Sequence, residues 1–203
     1  MGVVRIDLFT TLDLVAQAPG GPDEDPEGGF SFGGWQAPLM DETVGDSVMS
    51  GLRDCDALLL GRKTYDIWAG YWPTKDDEIG RLFNRIPKYV ASRGTPELSW
   101  AGSSLIGGEL ADGVREIREK HENVHVIGSL DLVQTLLREK LFDRLTLWVY
   151  PILLGAGKKV FDGGPVPTNL TLLEPPVAGN AGAVTLHYGL ADGIPGTGDM
   201  SAR

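Results

Sequence analysis

Between Val3 and Phe9 the chain carries β-branched and apolar residues and then reaches Thr10-Thr11, a strand pattern with a polar stop. Residues Ala18 to Pro38 follow with no periodicity at all, rich in Gly, Pro and acids. Loops of that length in compact domains are usually functional, so the segment reads as a flap. Asp41 caps a helix whose apolar positions Val44, Val48 and Leu52 recur every four residues. Asp56 to Leu60 is a short apolar run ending at Gly61, the pattern of a buried strand, and Arg62 to Trp68 opens as a helix directly from it. Asp77–Ile86, Val114–His121 and Leu130–Glu139 read as further helices. Lys88–Ala91, Trp100–Ile106 and Val124–Ile127 read as strands.

The last third changes character. Leu145–Leu154, Leu170–Leu173 and Val184–Leu190 are strands separated only by turns and glycines. Alternation first and a run of strands afterwards predicts a largely parallel sheet flanked by helices and finished by antiparallel strands at one edge. The pattern predicts a single domain over residues 1–190, with residues 191–203 a flexible tail.

Composition narrows the class. The 203 residues are 42% hydrophobic and 23% charged, which suits a globular core and excludes a fibrous or disordered chain. The formal net charge of −10 argues against nucleic-acid or anionic-membrane partners. No run of about 18 apolar residues is present to span a bilayer. The single cysteine, Cys55, makes no internal disulfide, and the N-terminus lacks a basic stretch followed by an apolar core. Both lead to the expectation of a cytoplasmic protein. Against that acidic background, Gly61 to Arg93 holds seven basic residues and four acidic ones, too few to grip a duplex but enough for one phosphorylated small molecule.

The chemistry concentrates in Leu58-Leu59-Leu60-Gly61-Arg62-Lys63-Thr64-Tyr65. A helix that opens at the end of a buried strand presents unpaired N–H groups and partial positive charge. Cations are electrostatically disfavoured at that end, so Arg62 and Lys63 point to an anion, with Thr64 as a hydroxyl donor. Ser92-Arg93-Gly94 follows one strand and Gly128-Ser129 another. Ligands of parallel sheets lie beyond the strands' carboxyl ends, so three such ends suit one extended, multiply phosphorylated ligand. No Gly-x-Gly-x-x-Gly follows a strand. Gly155-Ala156-Gly157-Lys158-Lys159 fails as a P-loop, because Ile152 stands where a glycine belongs and Lys159 where a hydroxyl belongs. His121, His125 and His187 match no metal-ligand spacing.

These residues, in order, resemble the dihydrofolate-reductase-like superfamily, specifically the reductase domain of the riboflavin-pathway deaminase–reductase and its stand-alone relatives. The matching segments are Thr11-Leu12-Asp13, Gly34-Trp35, Leu60 to Tyr65, Lys88-Tyr89-Val90 with Ser92-Arg93, Ile127-Gly128-Ser129, and Pro151 to Gly157 followed by Phe161. The resemblance implies an α/β fold of that type and an NADPH-dependent reductase. Gly61, Arg62, Lys63 and Thr64 would hold phosphates, and Ser92 and Arg93 the adenosine 2′-phosphate. Ile127, Gly128 and Ser129 would lie along the pyrophosphate, with Thr10 near the nicotinamide. Substrate, a pteridine, a ribosylaminopyrimidine or a carbonyl compound, would lie under the flap, beside Trp35 and Leu153. Asp41 is the nearest positional candidate for the carboxylate that holds the pterin, although its position favours an ordinary helix cap. Asp13 is the other candidate acid, which binds substrate or simply fixes its turn through the backbone. One departure is plain: Leu14 stands where the family pattern has glycine. Relatives are commonly homodimers, for which the apolar strand around Trp148 and Tyr150 offers a surface. The rival reading is a non-catalytic NADP(H)-binding or ligand-sequestering protein of the same fold.

Overall fold

Strand β1 (Val3–Thr11) sends Val4, Ile6 and Leu8 to one side of the sheet and Arg5, Asp7 and Phe9 to the other. Those two sides define the layers of the computed structural model, which describes residues 1–163 and 166–201. Helix α1 (Glu42–Leu52) is capped by Asp41, whose carboxylate accepts the Val44 amide at 2.9 Å. Then come β2 (Ala57–Gly61), α2 (Arg62–Ala69), α3 (Glu78–Arg85), β3 (Lys88–Ala91) and β4 (Ser103–Leu105). The chain continues through α4 (Leu110–Lys120), β5 (Asn123–Val126), α5 (Leu130–Glu139) and β6 (Arg144–Tyr150). It ends with β7 (Leu170–Leu172), β8 (Val177–Ala178) and β9 (Val184–Leu190).

The sheet runs β4-β3-β2-β5-β1-β6-β9-β7, with β8 beside β9. From β4 to β6 every pairing is parallel, and β9 is antiparallel to its neighbours. The expected mostly parallel sheet with an antiparallel C-terminal edge is what the chain builds. On one face, Val114 and Ile117 of α4 and Leu132, Val133, Leu136 and Leu137 of α5 bury β1, β5 and β6. On the other, Leu52 of α1, Tyr65 of α2 and Phe83 of α3 close over Leu58, Leu60 and Val90.

Departures from the expected boundaries have local causes. β6 stops at Tyr150, not Leu154, because Pro151 has no N–H to continue a ladder and the Ile152 amide turns back to the Tyr150 carbonyl at 2.8 Å. β4 is shorter than Trp100–Ile106 because Trp100 is drawn inward, its amide donating to the Tyr65 hydroxyl at 2.9 Å. α4 begins four residues before Val114, with Leu110 on the same stripe as Val114 and Ile117; Gly113 had interrupted the pattern. The two-residue β8 was not expected. Residues 192–201 are exposed and form no strand or helix.

Lys88 is fully buried. Its ammonium donates to the carbonyls of Phe83 (2.9 Å) and Asn84 (3.4 Å) in the last turn of α3 and sits 4.5 Å from the Trp100 ring centroid. Burial lowers its pKa from 10.5 to about 8. Between those two values the unfolded chain binds the proton that the folded chain has lost, so stability gains from Lys88 as pH rises through that window. Urea midpoints at pH 7.5 and 10 should diverge between the native protein and Lys88→Met, with the native protein gaining at the higher pH. Parallel midpoints would show that Lys88 does not titrate this way.

Candidate functional site

The carboxyl ends of β2, β3 and β5 open onto one groove of about 1690 Å³. Gly61 is the N-cap of α2 and Ser129 the N-cap of α5, and neither side chain caps its own helix, which leaves first-turn amides facing the rim. The two turns touch. The Gly61 amide donates to the Gly128 carbonyl at 3.0 Å, and the Gly128–Ser129 peptide is cis. A Cβ on Gly61 would lie 2.1 Å from Ser129 Oγ and 2.7 Å from the Ser129 amide nitrogen. One on Gly128, whose φ is +142°, would lie 2.5 Å from Thr64 Oγ1. Glycine at both places is therefore a condition for bringing Thr64 and Ser129 together.

The cations of the rim are engaged by acids. Arg62 pairs with Asp66 one turn along α2 at 2.6 Å. Lys63 reaches into the flap, 2.9 Å from Asp25 and 2.5 Å from Glu27. Lys158 meets the same two carboxylates at 2.8 and 2.5 Å. This four-charge clasp holds the flap across the groove. Burial alone would raise the Asp25 pKa, but hydrogen bonds from Lys158 and Lys63 outweigh it and hold it below its ordinary value; the same two lysines lower Glu27. The Glu27 hydrogen bond is the leading cause that raises Lys63. Arg93 is exposed and pairs with Asp131 in the first turn of α5 at 2.8 Å, and the Ser92 hydroxyl accepts the Gly94 amide at 3.1 Å.

Nine of the ten residues expected around the cofactor line this groove: Gly61, Arg62, Lys63, Thr64, Ser92, Arg93, Ile127, Gly128 and Ser129. Thr10 does not. It is buried, and its hydroxyl is 3.2 Å from the Thr11 carbonyl and 3.3 Å from that of Val15. Trp35 is buried beneath the flap, its indole donating to the Gln17 carbonyl at 2.8 Å and its ring edge-on to Tyr150. It anchors the flap from below. Leu153 is 70% exposed and away from the groove lining.

Asp13 and Asp41 also lie outside the lining, each occupied by backbone amides. Asp13 accepts from the Thr11 hydroxyl (2.6 Å) and from the amides of Leu154 (3.2 Å) and Gly155 (2.8 Å), tying the loop after β1 to the loop after β6. The Thr11 hydrogen bond is the main cause of a pKa lowered to about 2. Asp41 holds the Val44 amide at 2.9 Å and that of Ala181 at 2.7 Å; the Ala181 bond leads the lowering of its pKa. Leu14 adopts the left-handed backbone (φ 67°) that glycine favours.

Sequence reasoning missed four lining residues that the flap and its partners contribute. Gln17, Gln36, Asp25 and Lys158 all face the groove. Gln36 is buried and donates from its amide to the Tyr150 hydroxyl at 2.8 Å, while the Gln17 amide donates to the carbonyls of Asp25 (2.9 Å) and Glu27 (3.0 Å). The flap's acidity and the paired lysines after Gly157 were visible signals of the clasp, but their pairing spans more than 130 residues.

The arrangement has known counterparts. The chain is 26% identical over 168 residues, 78% of its length, to the uncharacterized protein YyaP of Bacillus subtilis, covering 79% of that protein. Its fold is similar to that of a protein from Shewanella sp. PV-4 with a provisional riboflavin-biosynthesis designation, at a TM-score of 0.69 and 18% identity over 94% of this chain and 99% of that one. It is also similar to the dihydrofolate reductase of Enterococcus faecalis solved with NADP(H), at a TM-score of 0.60 and 12% identity over 94% of this chain and 98% of that one. Residues 3–181 match the model of the RibD C-terminal domain, which spans most of the chain, and the protein therefore belongs to that family, on a dihydrofolate-reductase-like fold.

Proposed function

We propose that this protein is an NADPH-dependent reductase that delivers a hydride to a small heterocyclic substrate, of pteridine or ribosylaminopyrimidine type, or to a carbonyl compound. The observation that carries the reading is the meeting of Gly61, Thr64, Gly128 and Ser129 where two uncapped helix N-termini face one groove. The residues fit the cofactor. Two places where a Cβ would collide leave backbone amides open to a pyrophosphate, and Ser92 and Arg93 lie on the same groove for a 2′-phosphate. The volume exceeds the roughly 300–1,000 Å³ typical of a small-ligand pocket, which leaves room for a dinucleotide and a substrate together.

When bound, the nicotinamide supplies the hydride. The chain's own residues supply the rest. Phe9, Ala16 and Ile127 form an apolar inner end that orients flat rings and excludes water. Gln17 is committed at both ends, its NH2 to the Asp25 and Glu27 carbonyls and its oxygen to the Lys158 amide. Gln36 spends its NH2 on Tyr150 and Met40, which leaves its side-chain carbonyl as an acceptor for the polar edge of a heterocycle. Four flap carboxylates line the groove. Asp25 and Glu27 are neutralised by Lys63 and Lys158. Glu24, whose pKa burial raises, accepts the Gly20 and Gly21 amides, and Asp23 is exposed, so solvent is the proposed source of the proton that balances the hydride. One observation favours the second reading, a protein that sequesters NADP(H) without turnover: Asp13 and Asp41 are both occupied by backbone. Following NADPH absorbance with dihydropteridine, aminopyrimidine and carbonyl substrates separates the two readings, since the second predicts tight binding and no substrate-dependent oxidation.

Arg93→Ala should weaken NADPH binding by about tenfold and leave NADH binding within twofold, because it removes one charge-assisted partner of the 2′-phosphate alone. Cofactor fluorescence titrations read both. Equal losses for the two cofactors would remove the 2′-phosphate from Arg93.

A further inference from the structure

A second cavity of about 450 Å³ lies on the α1 side of the sheet, near the strands' amino ends, and shares no lining residue with the groove. Phe9, which lines the groove, and Trp148, which lines the cavity, stand with ring centroids 5.0 Å apart and form part of the wall between them. Helix α1 shows the cavity two kinds of surface. Its Val44 and Leu52 go into apolar clusters, whereas Thr43, Ser47 and Ser50, on the neighbouring stripe, line a polar space. The sheet beneath is polar too, which an α/β interior does not need for folding.

The cations of this floor are Arg5 and Arg144. They are register partners on the adjacent parallel strands β1 and β6, so their side chains leave the sheet side by side on the same face. Neither has a carboxylate within 4.0 Å among the described residues. Arg5 donates through Nη2 to Asn123 at 3.2 Å, but its Nε is buried without a partner. Arg144 is exposed at the start of β6. Burial first, and the like charge of Arg144 second, lower the Arg5 pKa. Three acids also line the cavity: Asp7 and Glu174 face histidines, and Asp46 of α1 is exposed at the rim without an ion pair among the described residues. Asp7 is 2.7 Å from His125 Nδ1, and Glu174 is 3.7 Å from His187 Nε2.

Two adjacent guanidiniums, one with an orphaned buried donor, form an unfavourable arrangement that a single oxyanion would relieve through charge-assisted hydrogen bonds. We propose that this cavity is a binding site for a small oxyanion, a phosphate or a carboxylate, gripped by Arg5 and Arg144 with the α1 hydroxyls of Thr43 and Ser50 around it, the Ser47 hydroxyl being engaged by Trp148 and Thr185. The site is independent of the reductase reading, since it uses none of the groove's residues.

Arginine Nε–Hε resonances of the whole protein report directly on both side chains. At constant ionic strength, inorganic phosphate in one titration and acetate in another should shift the Arg5 and Arg144 signals saturably in at least one arm. The arm that saturates identifies the anion class. Arg144→Gln, at an exposed position that folding does not need, should weaken that response by about tenfold, the loss of one charge-assisted pair. Arg93→Ala should leave it unchanged, which separates this site from the groove. No saturable shift in either arm, or a response indifferent to Arg144→Gln, would overturn the proposal.

Discussion

Gly61→Ala is expected to weaken NADPH binding by at least about a hundredfold and to lower stability by about 1–3 kcal/mol. The added methyl group would stand 2.1 Å from Ser129 Oγ and 2.7 Å from the Ser129 amide nitrogen. The hydroxyl can rotate away, but the backbone nitrogen cannot, so the turn before α5 must withdraw from the turn before α2. That withdrawal separates the two uncapped N-termini on which the cofactor reading depends. The double variant with Ser129→Ala removes the softer contact and keeps the harder one, so it should rescue little. Fluorescence titration and thermal unfolding together read the effect. Cofactor affinity within a few-fold of native in a stable Gly61→Ala protein would show that the close approach is not needed.

Neutralising the flap acids has the second large effect. With Asp25→Asn and Glu27→Gln together, four contacts of the clasp are lost, and flap cleavage in limited proteolysis should accelerate by about thirtyfold. Lys63 and Lys158 are simultaneously released toward the groove, so NADPH should bind more tightly despite the looser flap. Acid should mimic the double variant. Both carboxylates titrate below their ordinary values in the folded protein, so the clasp is complete above pH 4.5 and fails as pH falls through those lowered values. Unchanged proteolysis would mean that Phe30 and Trp35, buried under the flap, hold it without the clasp.

What could be read from the chain and what could not divides by sequence distance. Leu58 to Tyr65 announced a buried strand, a glycine and a helix in eight consecutive residues, and each has the expected local form. Lys88–Ala91 and Leu130–Glu139 are bounded as expected because proline precedes the first and a glycine–serine turn precedes the second. Side-chain assignments failed to follow from sequence where the partner is remote. Lys63 looked like a free phosphate ligand, yet its partner lies 36 residues back in the flap. Asp13 reads from sequence either as a substrate-binding acid or as a residue that fixes its turn, and the amides that claim its oxygens lie 141 and 142 residues away. The flap's length pointed to function and Trp35 read as either a pocket residue or an anchor of the flap, whereas the composition of glycine, proline and acids concealed Phe30 as a second anchor buried beneath it. The polar floor under α1 left no local sign, because Arg5 and Arg144 become neighbours only through the β1–β6 register.

Where a dinucleotide lies on this protein decides the functional reading. Crystals of the protein grown with NADPH give the most direct test. The pyrophosphate is expected between Gly61–Thr64 and Gly128–Ser129, the 2′-phosphate at Ser92 and Arg93, and the nicotinamide toward Phe9 and Ile127. A cofactor found on any other surface, or a groove that stays empty at saturating NADPH, would contradict that reading.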